Sequence, residues 1–137
     1  MIHSESMAAE LLAASASAYA AIATNRLIEK LPEVKQQFGE SAFRDWKDHF
    51  QQRVLELSAA LAENEPRLFA SRVNWAKSAF KAREVPDDVL RESLVCLREV
   101  LDEELPETSR KAPHDCIDVA LNSLTTTLKE SSIIKIL

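Results

Sequence analysis

A single glycine, Gly39, stands among 137 residues, and that scarcity excludes whole classes of chemistry. Loops that cradle phosphate need several glycines so that the backbone can approach the anion. A Rossmann nucleotide-binding unit and a P-loop are therefore ruled out. No G-x-S-x-G turn exists to hold a nucleophile, so there is no candidate for a Ser-His-Asp hydrolase. Cysteine is nearly as rare: Cys96 and Cys116 are the only two, and neither lies in a CxxC or other metal-ligand spacing. Both sit beside apolar residues, which reads as small buried thiols kept reduced in the cytoplasm. Glu-x-x-His, the pair that builds a carboxylate-bridged metal site in a helical bundle, is absent. No catalysis, no metal and no cofactor is expected of this chain.

Basic side chains are also missing from the first 25 residues, and Glu5 and Glu10 interrupt the early apolar stretch. A cleaved leader is not expected from such a beginning. No run reads as the roughly 20 apolar residues that span a bilayer, so no membrane partner is expected either. The formal net charge of −5 favours solubility and argues against non-specific binding of nucleic acid.

What is present is helical periodicity, punctuated by proline. Pro32, Pro66, Pro86, Pro106 and Pro113 divide the chain, and proline is accepted in the first turn of a helix but not in its interior. The spacing predicts helices over 4–31, 41–62, 66–83, 86–105 and 113–130, followed by an apolar tail over 131–137. A short turn is expected from Pro32 to Phe38, closed by Gly39 after its last helical residue. Period-two alternation is lacking, and the connections are short. The expected fold is all-α, one domain, an antiparallel bundle of about five helices.

The first helix is rich in alanine: Leu11, Leu12, Tyr19, Ile22, Leu27 and Leu31 give bulk, and Ala13, Ala14, Ala16, Ala18, Ala20 and Ala21 keep its other faces thin. Thin faces permit close helix approach within the fold or to a second copy. The second helix carries Phe43, Trp46, Phe50, Val54, Leu57 and Leu61 in one stripe. In the third, Phe69, Val73, Ala76 and Phe80 form the stripe, with Leu68 and Trp75 alongside; both tryptophans are expected to be largely buried. Leu90, Leu94, Leu97, Leu101 and Leu105 line the fourth helix, and Ile117, Leu121, Leu124 and Leu128 the fifth.

Two constellations have chemical content. Trp46, His49, Phe50, Phe69 and Trp75, with Phe80, could line a pocket for a tetrapyrrole or another flat apolar molecule, with Asp45 orienting His49 from one turn earlier. The plainer reading makes Asp45–His49 an i,i+4 pair on a helix flank and the aromatics core. His114 reads as part of a helix start. Charge is segregated as well. Arg67, Arg72, Lys77, Lys81 and Arg83 stand with no acidic residue between Pro66 and Arg83, whereas nine acidic residues lie from Glu84 to Glu107 against Arg91 and Arg98. Neighbouring helices of opposite sign are expected to pair along their flanks. Asp102, Glu103 and Glu104 crowd a helix C-terminus, where the dipole disfavours them; they read as solvated.

Phe69, Val73, Trp75 and Ala76 lead to Val85-Pro86 and on to the leucine ladder that ends at Leu105-Pro106. Trp46, His49 and Phe50, then Leu55, Ser58 and Leu61, precede them. In these spacings the stretch from Tyr19 to Pro106 resembles the helical segment that precedes the cobalamin-binding domain in some bacterial light- and B12-responsive regulators. That domain's Asp-x-His-x-x-Gly loop is not in this chain, nor is the Glu-His dipeptide of the capping helices. The resemblance implies a sensory or regulatory setting for a helical module without its cofactor domain. The function expected is thus a non-catalytic regulatory module that binds a protein partner or associates with itself. Its interface is expected at Ile133, Ile134, Ile136 and Leu137, which would make the protein a homodimer.

Overall fold

In the computed structural model the backbone is described for residues 4–136 and the side chains for residues 6–124. Six α-helices follow one another: α1 (Ser4–Lys30), α2 (Glu33–Phe38), α3 (Ala42–Ala62), α4 (Pro66–Ala82), α5 (Asp87–Glu104) and α6 (Lys111–Ile136). One-turn 3₁₀ segments, Gly39–Ser41 and Glu107–Ser109, join α2 to α3 and α5 to α6. No strand occurs among the described residues, and the protein is an all-α helical bundle. The turn expected after Pro32 is the short helix α2. The last helix begins two residues earlier than Pro113, and its backbone continues to Ile136, through most of what reads in sequence as a separate tail. The side chains of Leu128, Ile133, Ile134, Ile136 and Leu137 lie outside the described residues.

The thin face of α1 is used inside the fold. Ala8, Ala9, Ala16, Ala20 and Ala23 are buried, and α3 is the helix that α1 packs on most extensively. Alanine lets the two backbones approach closely enough for Ser58 Oγ to donate a 2.7 Å hydrogen bond to the carbonyl of Ala9. By length and mean hydropathy (1.3 over its best window) α1 would suffice to cross a bilayer, contrary to the sequence expectation, because alanine raises hydropathy without bulk. The centre of the bundle holds Leu12 and Leu27 from α1, Trp46, Phe50 and Leu57 from α3, Phe69 from α4, the leucines of α5 and Ile117 from α6.

Charge does not pair as expected. The acidic flank of α5 meets α1 rather than α4: Arg26 holds Glu103 at 2.6 Å, and Lys30 reaches Glu92 at 3.2 Å and Glu99 at 2.9 Å. Arg98 pairs with Asp118 on α6, and His114 Nδ1 lies 2.9 Å from Asp102. Asp102 and Glu103 are therefore partnered, not merely solvated. α5 has its charged flanks against α1 and α6, so the basic side chains of α4 find no acid there. Among the described residues, Arg67, Arg72, Lys77 and Lys81 form no ion pair.

Gly39 caps α2 with φ 66° and ψ −141°, its N–H bonded to the carbonyl of Lys35. A methyl group there would meet nothing within 4 Å, so only backbone strain opposes a side chain. Gly39→Ala is expected to destabilise the protein by about 1–3 kcal/mol, the scale for a non-glycine residue held in this region. Chemical denaturation of the variant checks it; an unchanged midpoint would place the turn elsewhere.

Candidate functional site

Trp46, His49 and Phe50 on α3 meet Phe80 on α4 and Phe38 on α2. Trp46 packs edge-on to Phe38, His49 and Phe80 at centroid distances of 5.8, 5.3 and 5.4 Å, and His49 lies 4.8 Å from Phe80. Phe69 is buried elsewhere along the α4 stripe, and Trp75 is not part of the cluster at all: it is 72% exposed. The pocket expected among Trp46, His49, Phe50, Phe69 and Trp75 is thus only partly assembled. The void bounded by Phe38, Asp45, Trp46, His49, Phe80 and Arg83 measures about 30 Å³. That is room for one or two water molecules, whereas sites for drug-sized ligands run to several hundred Å³. The cluster fills the core, and a tetrapyrrole does not fit it.

Nor does Asp45 orient His49. The Asp45 carboxylate accepts from Ser41 Oγ at 2.8 Å, and His49 Nε2 is shut away from solvent without a hydrogen-bond partner, as is Trp46 Nε1. Burial, with the Arg53 guanidinium adding repulsion of like charge, lowers the imidazole to about 3. A ring so placed is neutral at physiological pH. The two thiols are equally unsuited to chemistry: burial raises Cys96 to about 11 and Cys116 to about 12, so neither offers a thiolate. Among the described residues no group of three His, Cys, Asp or Glu side chains could hold a metal ion.

The surface that draws together unusual features lies between α3 and α4. On α4, positions 68, 72, 75 and 79 follow one another at helical spacing on a face that flanks the core stripe, about 100° around the helix from Val73 and Ala76. Leu68 and Arg72 face Gln52, Leu55, Glu56 and Ala59 of α3 across an open groove of about 300 Å³. Leu55 is 42% exposed at its edge, and Trp75 stands one turn beyond Arg72. Arg53, itself on α3, is buried and holds Glu56: Nη2 donates to Oε2 at 2.9 Å, and Nε lies 2.8 Å from Oε1 but off the bond axis. Desolvation, and repulsion from Arg72, hold the Arg53 guanidinium below its ordinary range while Glu56 opposes both. The single carboxylate of this groove is thereby committed to Arg53, and Arg72 carries a charge with no counter-ion among the described residues.

Sequence reading set Leu68 and Trp75 beside the core stripe, named Leu55 only within the family resemblance, and passed over Arg53. The signal was the phase: residues 68, 72, 75 and 79 keep a helical spacing of their own, about 100° around the helix from Phe69, Val73 and Ala76. Compared with protein-family models, with curated proteins and with solved structures, the chain matches none.

Proposed function

We propose that this chain is a non-catalytic interaction module, an antiparallel helical bundle that docks a protein partner on the α3–α4 face. The exposed Trp75 carries the reading. A tryptophan left 72% in water, one turn from a groove lined by Leu55, Ala59 and Leu68 together with Gln52, Glu56 and Arg72, is the composition of a binding surface. The unpaired Arg72 of the groove adds to it. The regulatory setting rests on the resemblance to helical modules of bacterial B12-responsive regulators.

Self-association is the second reading, favoured by Ala13, Ala14 and Ala18, which α1 leaves exposed. The proposed contact at Ile133, Ile134, Ile136 and Leu137 belongs to it. Both readings are tested by affinity capture of the tagged chain at its natural abundance, comparing the parent with Trp75→Ala and with Val119→Ala, an exposed apolar residue on α6. Captured partners are expected to fall at least about fivefold for Trp75→Ala, a loss on the scale of a modest hot spot, and to persist for Val119→Ala. An identical set from all three sinks the α3–α4 assignment. Solution mass across a concentration series decides self-association: a parent that stays monomeric at high micromolar concentration removes it.

A further inference from the structure

We infer that the α3–α4 groove receives an acidic amphipathic helix, one that sets bulky apolar side chains against Leu55, Leu68 and Trp75 and a carboxylate against Arg72. The inference rests on the docking role proposed for this face and names the chemistry of what docks.

Shape and charge fix that chemistry separately. Leu68 and Trp75 are seven residues apart on α4, about 10 Å along its axis. A partner helix lying beside α4 meets both with apolar residues at i and i+7, and Leu55 with one at i+3 or i+4. The groove has a volume of about 300 Å³, room for such side chains. Charge gives the sign. Arg72 is the one α4 cation lining the groove, since Arg67, Lys77 and Lys81 stand about 140–180° around the helix from it, and Arg72 is left unpaired while α5 turns its carboxylates to Arg26, Lys30 and His114. Glu56, the one acid in the groove, is taken by Arg53. A carboxylate arriving at Arg72 would meet an uncompensated guanidinium, since Arg53 and Glu56 neutralise each other. A basic segment would meet repulsion from Arg72. Nucleic acid suits the surface less well: among the described residues no aromatic lines the groove, its apolar members Leu55, Ala59 and Leu68 are aliphatic, and the chain as a whole is negative.

The test uses three fluorescein-labelled helical peptides of about four turns, alike in leucines at i, i+3 and i+7 and flanked by glutamate, by serine and glutamine, or by lysine. Polarisation is read against the full-length protein, with Trp75 emission in a Trp46→Phe background as the reporter of place. The glutamate peptide is expected to bind at least about tenfold more tightly than the neutral one, to quench Trp75, and to weaken as salt rises. The lysine peptide is expected not to bind. Arg72→Glu, accepted for analysis only if its unfolding midpoint matches the parent, is expected to reverse the order of the acidic and basic peptides. Neutral and acidic peptides that bind equally, both lost in Trp75→Ala, overturn the acidic partner while leaving the docking face intact. An acidic peptide that fails to bind, or that binds without moving Trp75 emission, overturns the inference as well. So does a single-stranded oligonucleotide or an anionic vesicle that quenches Trp75 more strongly than the acidic peptide does. Concentration-dependent burial of Trp75 in the protein alone would give the groove to a second copy instead.

Discussion

Trp46→Ala is expected to lower the unfolding free energy by about 3–5 kcal/mol, while Trp75→Ala changes it by less than about 0.5 kcal/mol. Both substitutions remove the same indole, so the difference measures position alone. Trp46 is 2% exposed and touches Phe38, His49, Phe50 and Phe80. Its Nε1 has no hydrogen-bond partner, so truncation forfeits no bond, and the loss comes from apolar burial and the cavity left behind. Against a total stability of about 5–15 kcal/mol, that is a large fraction. Trp75 gives up little surface to the fold and so little stability when removed. Urea unfolding with unchanged slope compares the two. Emission adds a second check: Trp75→Phe leaves only Trp46, whose spectrum is expected to be blue-shifted, and Trp46→Phe leaves a spectrum close to that of the unfolded chain. Equal losses of stability would mean that α4 is rotated relative to its described placement.

Acid is expected to destabilise the protein well before its carboxylates protonate, through His49. In the folded state this imidazole is held at about 3 by burial, with Arg53 repelling the charged form; in the unfolded chain it titrates near 6.5. Between those values the unfolded state binds the extra proton. Stability is thus fully present above about pH 6.5 and drains away as pH falls toward 3. At about 1.4 kcal/mol per pH unit, the ring alone accounts for roughly 2 kcal/mol between pH 6.5 and 5. No neighbour offsets this: Asp45 is engaged by Ser41, and Arg83 lies over Phe38 with its own positive charge. His49→Leu is expected to flatten that limb of the stability–pH curve, whatever it does to stability at neutral pH. A parent and variant with parallel curves from pH 7 to 5 would show that the ring already reaches solvent.

The all-α character was legible because its signals are local. Pro66 sits in the first turn of α4 and Pro86 just before α5, and the leucines at 90, 94, 97, 101 and 105 mark one buried face. What escaped was either phase or topology. Trp75 follows Val73 by two residues, which turns it about 200° around the helix, away from the core; a tryptophan's bulk suggested burial where its phase did not. Phe43, read as part of the α3 stripe, is 40% exposed in the first turn of that helix. The charge pairing failed on topology. Segments adjacent in sequence were matched, whereas α5 pairs with residues 62 to 77 positions away on α1. For His49, Asp45 had the right spacing, but Ser41 stood equally close on its other side and took the carboxylate.

The separation between α1 and its ion partners also bears on how the chain is made. Glu103 leaves the ribosome 77 residues after Arg26, and at synthesis rates of about 5–20 residues per second that is a wait of roughly 4–15 s. Ser58, which locks the alanine face of α1, follows Ala9 by 49 residues. Throughout that second interval α1 is made without the α3 face that buries its alanines. During translation α1 is therefore open to chaperones and membrane-targeting factors until α3 arrives and covers its alanine face.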